Sequence, residues 1–294
     1  MPRRIRALAA TLCVILLLSS CGRDAGDYPL GDRIRNSGAV VAAIRRGLKD
    51  HARTITISFD YGSDIYEELN GVIGDWVETA LQETDDPAEG DYIRYQYGGY
   101  TYNSAYTVEV GRWYYTVELV PVYYCSLSEE ERAAAEAEAL LKGFSFKKRT
   151  SDYEKLRTVY DYLCRTVTYD KIHRKNPYSH RKSTAYAALV QHTATCQGYC
   201  TALYRLLRGS GINCRIVTGT AEGDDTLHAW VIAELDGLYY NLDPTWDAGR
   251  ETWSSFLAGA SEFTDHVPGA QFLTQDFTER YPIAETGYRK EGST

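Results

Sequence analysis

The sequence contains no apolar run long enough to span a bilayer. Its longest one, Leu12–Leu18, is much shorter than the roughly 20 residues that a spanning helix requires. It has no Cys-x-x-Cys pair, which disfavours a zinc-bearing domain, and no calcium-loop pattern of ligands. It also lacks an excess of positive charge, because 32 Lys and Arg stand against 40 Asp and Glu, for a net charge of −8. These absences argue against a spanning helix, a metal or other cofactor, and nucleic acid as a partner.

The cysteines do not suggest a disulfide framework. Of the seven, Cys13 and Cys21 lie in the N-terminal leader. Five remain in the rest of the chain: Cys125, Cys164, Cys196, Cys200 and Cys214. A chain of this length can bury its own core and does not depend on disulfides for stability. An odd number of cysteines is consistent with one free, reactive thiol.

The N-terminus has the features of a secretory signal over residues 1–20: three arginines, then the apolar run, then small residues. The stretch Leu18–Gly22 resembles a bacterial lipobox. That resemblance implies cleavage before Cys21 and diacylation of this cysteine. The expected product is tethered by its lipid to the extracytoplasmic face of the cell membrane, so the bilayer is one expected partner. The alternative is an ordinary cleaved signal with a cysteine there by chance.

A helix with a cysteine at its start is predicted from Cys196 onwards. Thr195 is a suitable N-cap, and apolar residues recur at helical spacing until glycines at 209 and 211 end the pattern. A thiol in the first turn feels the positive end of the helix dipole and unpaired backbone N–H groups, which favour the reactive thiolate. The same N–H groups could bind an oxyanion. Gly198 would let substrate or a neighbouring backbone approach closely.

A hairpin follows this helix. Three segments predict strands: Cys214–Thr220, Thr226–Leu235 and Leu238–Asp243. Asp236 and Gly237 form a strong signal for a two-residue turn between the last two. With that turn, His228 is the diagonal neighbour of Asp243 on the same face of the sheet, roughly 7–8 Å away between Cα atoms. A register shift of one residue would place them on opposite faces. The sequence therefore predicts that a cysteine, a histidine and an aspartate meet in one cleft.

The motifs TATCQGYC, GINCRIVTGT, HAW and LDPTWD together resemble the transglutaminase-like superfamily within the papain-like cysteine enzymes. The resemblance is densest from Tyr160 to Asp247 and includes Ser183–Val190. It implies Cys196 as nucleophile, His228 as general base and Asp243 as the orienting carboxylate.

The same resemblance implies the fold and the frame of the cleft. The implied fold is α+β, a papain-like transglutaminase core in which a helix with an N-terminal cysteine packs on an antiparallel sheet. Gly198, Trp230 and Trp246 match positions that frame the cleft. Many members carry an Asn after His-Ala-Trp, whereas this chain has Val231, so any role of that Asn is absent.

A side-chain donor to the oxyanion is less clearly indicated. Papain-like sites often add one upstream of the cysteine, and Tyr186 and Gln191 are the candidates here. Tyr186 matches a position in a subgroup of the family and is preferred. The alternative is that Tyr186 is simply a buried aromatic residue.

Each site residue also has a structural interpretation. A lone strand histidine is more often structural, and His228 stands out only through its place beside Asp243. Asp243 could instead cap a turn before Pro244. Five other histidines show no comparable setting and are not expected to be catalytic: His51, His173, His180, His192 and His266.

The chain before this segment predicts a small α+β module of unknown role. Expected helices are Ser37–Lys49, Ile65–Gln82 and Ser128–Leu141, the last opening with Ser-x-x-Glu. Expected strands are Thr54–Tyr61, Asp91–Tyr106 and Arg112–Cys125. The predicted organisation is a signal peptide (1–20), a tether (21–36), an N-terminal α+β module (37–127), a transglutaminase-like catalytic domain (128–264) and a C-terminal extension (265–294).

The expected function is cysteine-nucleophile acyl transfer outside the cytoplasm. Hydrolysis of peptide or carboxamide bonds, by a peptidase or amidase, is favoured over protein crosslinking. Location alone makes envelope or cell-wall peptides plausible substrates. A non-catalytic peptide-binding module is the alternative from another class.

Overall fold

The computed structural model describes residues 37–173, 176, 179–221 and 227–289. The predicted signal peptide, the tether and Cys21 lie outside these ranges, as does the acidic stretch 222–226. Within the described residues, no helix combines the length and apolar character needed to cross a bilayer.

The fold combines α-helices with two antiparallel sheets, as is typical of the α+β class. The α-helices are α1 (Ser37–Lys49), α2 (Leu69–Ala80), α3 (Asp91–Arg94), α4 (Leu127–Phe144), α5 (Asp152–Thr166), α6 (Ala185–Leu189), α7 (Cys196–Gly209), α8 (Pro244–Asp247) and α9 (Gln275–Arg280). The strands are β1 (Ile55–Tyr61), β2 (Tyr97–Glu109), β3 (Arg112–Tyr123), β4 (Thr168–Tyr169), β5 (Thr193–Ala194), β6 (Cys214–Ala221), β7 (Leu227–Leu235), β8 (Leu238–Leu242), β9 (Phe256–Ala258) and β10 (His266–Pro268).

The N-terminal module is built on a three-stranded antiparallel sheet with the order β1-β3-β2. Alternate residues of β1 and β3 point to one face and form an apolar core with α1 and α2. Two predictions for this module need correction. The helix expected over Ile65–Gln82 is limited to Leu69–Ala80, and the expected strand Asp91–Tyr106 begins with the helical turn α3. In that turn Asp91 accepts from the backbone N–H of Ile216, a long-range contact that local sequence does not reveal.

Helix α4 begins earlier than predicted. The chain before it adopts an extended conformation at Ser126, and the Glu129 carboxylate accepts a hydrogen bond from the Ser126 backbone N–H at 2.9 Å. The capping pair is therefore Ser126 and Glu129, not the Ser-x-x-Glu that starts at Ser128. Both readings fit the local sequence, and the structure selects the earlier serine.

The second sheet has five antiparallel strands in the order β10-β6-β7-β8-β9. Helix α7 packs against β6 and β7 and is buried on more than the one face that its sequence predicts. It is the central helix of the larger core, which also includes α5 and α6. The predicted α+β class, with an N-terminal cysteine on a helix packed against an antiparallel sheet, is confirmed.

Buried polar contacts join the N-terminal module to the second sheet. The Arg215 guanidinium donates to both carboxylate oxygens of Asp91, at 2.8 and 3.1 Å. Asp91 is 1% exposed, so this paired contact is shielded from water. This contact fixes the N-terminal module against β6, one of the two strands on which α7 packs.

Candidate active site

Cys196 opens α7, with Thr195 as the extended N-cap. It is partly exposed, whereas the other four cysteines among the described residues are buried. Burial raises the pKa of Cys200 well above its usual range, and the nearby Cys196 adds to this rise. Of the five thiols, Cys196 is therefore the accessible one.

The hairpin forms with the predicted register. Asp236 and Gly237 both have positive φ, of 54° and 84°, as a tight two-residue turn requires. Leu235 pairs with Leu238, and the pairing continues without a shift along β7 and β8. His228 Nε2 consequently lies 2.7 Å from Asp243 Oδ2, although β8 ends one residue before the aspartate. The predicted His–Asp contact is confirmed as geometry.

Cys196 lies near enough to His228 for its side chain to raise the pKa of the imidazole. Since Nε2 contacts Asp243, the other ring nitrogen, Nδ1, is the one left for the thiol. Burial lowers the pKa of His228, but the hydrogen bonds and charges of Asp243 and Cys196 outweigh it and raise this pKa to about 10. The imidazole is therefore protonated at neutral pH, between a carboxylate and a sulfur atom.

Asp243 fills both of the roles that its sequence context allowed. Its Oδ1 accepts from the backbone N–H of Thr245 at 2.9 Å and so caps the short helix α8. Its Oδ2 accepts from His228. The side chain is fully buried, which would raise its pKa, but the hydrogen bonds from His228, His266 and Thr245 hold the pKa well below its usual range.

His266 is a member of the site that the sequence analysis missed. Its Nε2 lies 3.1 Å from Asp243 Oδ2, the same oxygen that contacts His228. The ring stacks on Phe263 with centroids 3.7 Å apart. It lies at the start of β10, whose pairing with β6 brings this distant segment to the site. No local sequence motif marks His266, because it reaches Asp243 only through the pairing of β10 with β6.

The two tryptophans predicted to frame the cleft both contact this cluster. Trp230 is buried, and its indole N–H donates to Asn241 Oδ1 at 3.1 Å. Its ring centroid lies 5.1 Å from that of His266. Trp246 is half-buried, with ring centroids 4.3 Å from His266 and 6.0 Å from His228. The tryptophans thus enclose the imidazoles and limit their contact with water.

Gly198 is required by the backbone that crosses α7 at its first turn. A Cβ at this position would lie 2.8 Å from the Lys182 carbonyl oxygen and 2.8 Å from the Ala194 Cβ. The predicted close approach is confirmed, and the neighbour is backbone of the chain itself.

The two side chains considered for the oxyanion are engaged elsewhere. The Tyr186 hydroxyl accepts from Arg132 Nη1 at 2.9 Å, and Gln191 Oε1 accepts from Lys182 Nζ at 3.2 Å. Tyr186 is 4% exposed, consistent with the buried-aromatic alternative. Backbone N–H groups in the first turn of α7 remain as donors. Among the described residues, no hydrogen bond from the α7 backbone reaches the Thr195 hydroxyl, which donates to the Lys182 carbonyl instead.

The N-terminal module reaches the residue next to the cysteine. Gln197 Nε2 donates to the Tyr95 carbonyl oxygen. Gln96 Oε1 accepts from the Ala185 backbone N–H at 2.8 Å. Contacts on both α6 and α7 show that the loop between α3 and β2 forms a wall beside the site.

Two groups of side chains among the described residues have the ligand types and spacing for a metal ion. One is His228, Asp243 and His266 in the site itself. There the two Nε2 atoms already point at one carboxylate oxygen at hydrogen-bond distances. The other is formed by His51, Cys125 and Glu130, away from the site.

The family Transglut_core, described as the transglutaminase-like superfamily, matches residues 142–244, which include the cysteine, the histidine and the aspartate. The kyphoscoliosis peptidases of Mus musculus and Homo sapiens are each 25% identical over 141 residues, 44% of this chain. The chain matches about a fifth (21%) of the length of these relatives. A crystal structure of a TGase aligns over 54% of this chain and 47% of its own, with 18% identity and a TM-score of 0.37.

Proposed function

We propose that this protein is a cysteine-nucleophile acyl-transfer enzyme of transglutaminase-like type that hydrolyses peptide or carboxamide bonds, since residues 142–244 match the model of that superfamily. The observation that carries the proposal is the convergence of three side chains: His228 Nε2 lies 2.7 Å from Asp243 Oδ2, and Cys196 is near enough to raise the pKa of His228. A nucleophile, a base and an orienting group in that order are the minimum set for covalent acyl transfer.

In the first step, the thiolate of Cys196 attacks the carbonyl carbon of the substrate. His228 carries the proton that the leaving amine needs, because hydrogen bonds to its two neighbours keep it protonated at neutral pH. Asp243 fixes the ring through Nε2 and stabilises the imidazolium. The products of this step are a thioester on the sulfur and a free amine or ammonia.

The oxyanion of the tetrahedral intermediate is stabilised by backbone N–H groups at the start of α7. First-turn N–H groups have no partner within a helix, and the Thr195 hydroxyl is directed to Lys182 rather than to them. The backbone N–H of Cys196 belongs to the same residue as the attacking sulfur, so it is the donor closest to that atom along the chain. This assignment replaces Tyr186, whose hydroxyl is bound to Arg132.

Water resolves the thioester. With the amine gone, His228 is left neutral, so it can take a proton from the attacking water and later return one to the sulfur. An amine competes with bulk water only where a site holds it in place and raises its effective concentration. The acidic sequence shows no sign of a dedicated amine pocket, so hydrolysis is favoured over crosslinking.

The substrate class follows from the proposed location. A lipid on Cys21 would hold the enzyme on the extracytoplasmic face of the cell membrane, where proteins and cell-wall peptides are the carboxamide-bearing neighbours. The partly exposed sulfur and the half-buried Trp246 beside His228 are consistent with an extended peptide lying across the site.

The function is tested with two peptide panels, one of glutaminyl peptides and one of cell-wall peptides, each with and without a labelled primary amine. Release of ammonia or cleaved peptide, with little amine incorporated, is the expected result. Amine incorporated as the main product at millimolar amine would make the protein a crosslinking transglutaminase. A mass-spectrometric search for a thioester on Cys196 runs in parallel. The absence of both turnover and thioester, with Cys196 inert to alkylation, would favour a peptide-binding module.

A further inference from the structure

A second cluster of reactive side chains lies outside the catalytic cleft. His51 follows the end of α1, Cys125 follows β3, and Glu130 lies in the first turn of α4. One nitrogen, the sulfur and one carboxylate oxygen of these residues all lie within 4.8 Å of one another. The Cys125 sulfur is 3.9 Å from His51 Nε2. None of the three contributes to the proposed acyl transfer.

Two of the three residues, His51 and Glu130, line a cavity of about 430 Å³ that runs between the N-terminal module and helices α4 and α7. Three buried polar atoms on its lining have no hydrogen-bond partner among the described residues: His51 Nδ1, Glu130 Oε2 and Arg205 Nη1. Buried polar groups are almost always paired, because an unpaired one costs about 1–3 kcal/mol. Several unpaired atoms on one cavity wall therefore point to a polar occupant.

The remaining atoms of the cluster are held in place. The Tyr92 hydroxyl donates to Glu130 Oε1 at 2.7 Å, which orients the carboxylate and leaves Oε2 free. The His51 ring stacks on Tyr123 with centroids 4.3 Å apart. The Tyr123 hydroxyl in turn donates to the Ala52 carbonyl at 3.0 Å. Such supporting contacts are what position ligands at metal centres.

A cation suits the chemistry of the cluster. A Glu130 carboxylate oxygen lies within 4.8 Å of the Cys125 sulfur, and Glu130 Oε2 has no hydrogen-bond partner among the described residues. A divalent cation between the two side chains would offset the carboxylate charge, and the thiol proton would pass to solvent on binding.

We propose that His51, Cys125 and Glu130 bind a zinc ion. Thiolate, imidazole and carboxylate are the three ligand types that zinc takes, and the soft sulfur disfavours calcium and magnesium. Ligand atoms around one tetrahedral zinc lie roughly 3.3–3.8 Å apart. The 3.9 Å between the sulfur and Nε2 needs only a small adjustment to reach that spacing. Water or a small anion would complete the coordination from the cavity that His51 and Glu130 line.

The consequence of zinc binding is mechanical. His51 and Cys125 belong to the N-terminal module, whereas Glu130 belongs to α4, which packs against α6 and α7. The ion would therefore join the module to the part of the chain that carries the nucleophile. No motif in the sequence marks the site, because 74 residues separate His51 from Cys125.

The test uses the purified protein after chelation, with zinc titrated back. We expect one zinc per chain by elemental analysis, a higher melting temperature with zinc than with chelator, and thiolate-to-metal charge-transfer absorption when cobalt(II) replaces zinc. Cys125→Ser, Glu130→Gln and His51→Gln should each weaken zinc binding at least tenfold. Cys214→Ser is the matched control, since this cysteine is buried outside the cluster and its loss should leave zinc binding unchanged.

The catalytic imidazoles are the competing location, so Asp243→Asn is measured alongside. Zinc binding that survives in Asp243→Asn and falls in the three cluster variants supports the proposal. Zinc binding lost in Asp243→Asn and kept in the cluster variants would overturn it. So would the absence of stoichiometric zinc and of the cobalt thiolate band in the unmodified protein, a result that does not depend on any variant folding. Since no readout here uses acyl transfer, the outcome is independent of the proposed function.

Discussion

His266 Nε2 and His228 Nε2 meet at one atom, Asp243 Oδ2, at distances of 3.1 and 2.7 Å. An ionised carboxylate only accepts hydrogen bonds, so both Nε2 atoms must donate. That requirement places a proton on His266 Nε2, and its Nδ1 has no hydrogen-bond partner among the described residues. His266 is thus a positioning residue that acts on His228 through Asp243.

Replacing His266 by Phe should remove one hydrogen bond from the Asp243 carboxylate and leave the Cys196 nucleophile unchanged. A hydrogen bond to a charged group is worth about 1.5–3 kcal/mol, and we expect a loss of stability in that range by chemical denaturation. The pKa of Asp243 should rise towards its ordinary value, which moves the acid limb of the activity profile to higher pH. His266→Gln retains a donor and should restore the acid limb. A stability loss with no movement of that limb in either variant would mean a purely structural role.

Asp243→Asn should lower turnover more than any other conservative change at the site apart from loss of the sulfur. Asn can accept one hydrogen bond from His228 but does not stabilise imidazolium as a carboxylate does, and in Ser-His-Asp triads the matching change costs about 10⁴ in kcat. Some papain-like enzymes work with Asn, so the expected loss lies between about tenfold and that limit. His228→Ala should be worse. Steady-state kinetics on folded variants measure this, and full turnover of Asp243→Asn would contradict it.

The protonated state of His228 gives a prediction for pH dependence. Its pKa is raised from 6.5 to about 10, so the native state binds the proton more tightly than the unfolded chain does. The resulting stabilisation is complete below pH about 6.5 and is lost as pH rises towards 10. The acylation rate should fall over the same alkaline range, because the leaving amine loses its proton donor. In Asp243→Asn the alkaline limb should move to lower pH, as single-turnover rates across pH would reveal.

Cys196→Ser should abolish activity while keeping the melting temperature. Sulfur and oxygen differ little in size, but a serine hydroxyl is far harder to ionise beside the same imidazole. Iodoacetamide should modify Cys196 first in the native protein, because the other four described cysteines are buried. Cys200→Ser, on the same helix, is the control and should keep most activity. If Cys200→Ser abolished turnover and Cys196→Ser did not, the nucleophile would be misassigned.

Gly198→Ala should destabilise the protein by about 1–3 kcal/mol and displace the first turn of α7, because the new methyl group meets the Lys182 carbonyl at 2.8 Å. Gly143→Ala is the matched control on helix α4. A Cβ at Gly143 has no described neighbour within 4 Å, and alanine is the better helix former by about 0.5–1 kcal/mol. Opposite signs of the two effects in urea unfolding are expected. Equal, small effects would show that the backbone at Gly198 can relax.

The geometry of the site can be predicted from local sequence wherever the decisive contact is local or follows from a fixed residue period. Asp236 and Gly237 determine the turn, the turn determines the register, and the register places His228 beside Asp243. The same holds for the helix that begins at Cys196 after its N-cap. In each case one short-range rule leaves a single geometry.

The prediction failed where strand pairing or domain contact decides the structure. His266 reaches Asp243 only because β10 pairs with β6, and a three-residue strand has too few positions for a period to show. Asp91 lies in a helical turn because it binds Arg215 and the Ile216 backbone, which are more than a hundred residues away. The local sequence around Asp243 indicates either a cap or a partner of His228, yet a carboxylate has two oxygens and serves both.

Because of the Asp236–Gly237 turn, the contact between His228 and Asp243 depends on the number of residues between them more than on which residues these are. Side chains alternate between the faces of a strand, so adding or deleting one residue in β7 or β8 would turn one partner away from the other. Substitutions on the outer face leave that count unchanged. Insertion scanning through this segment should therefore inactivate the enzyme at nearly every position, whereas substitution scanning should spare many. Loop extensions intended to graft new specificity belong outside this hairpin.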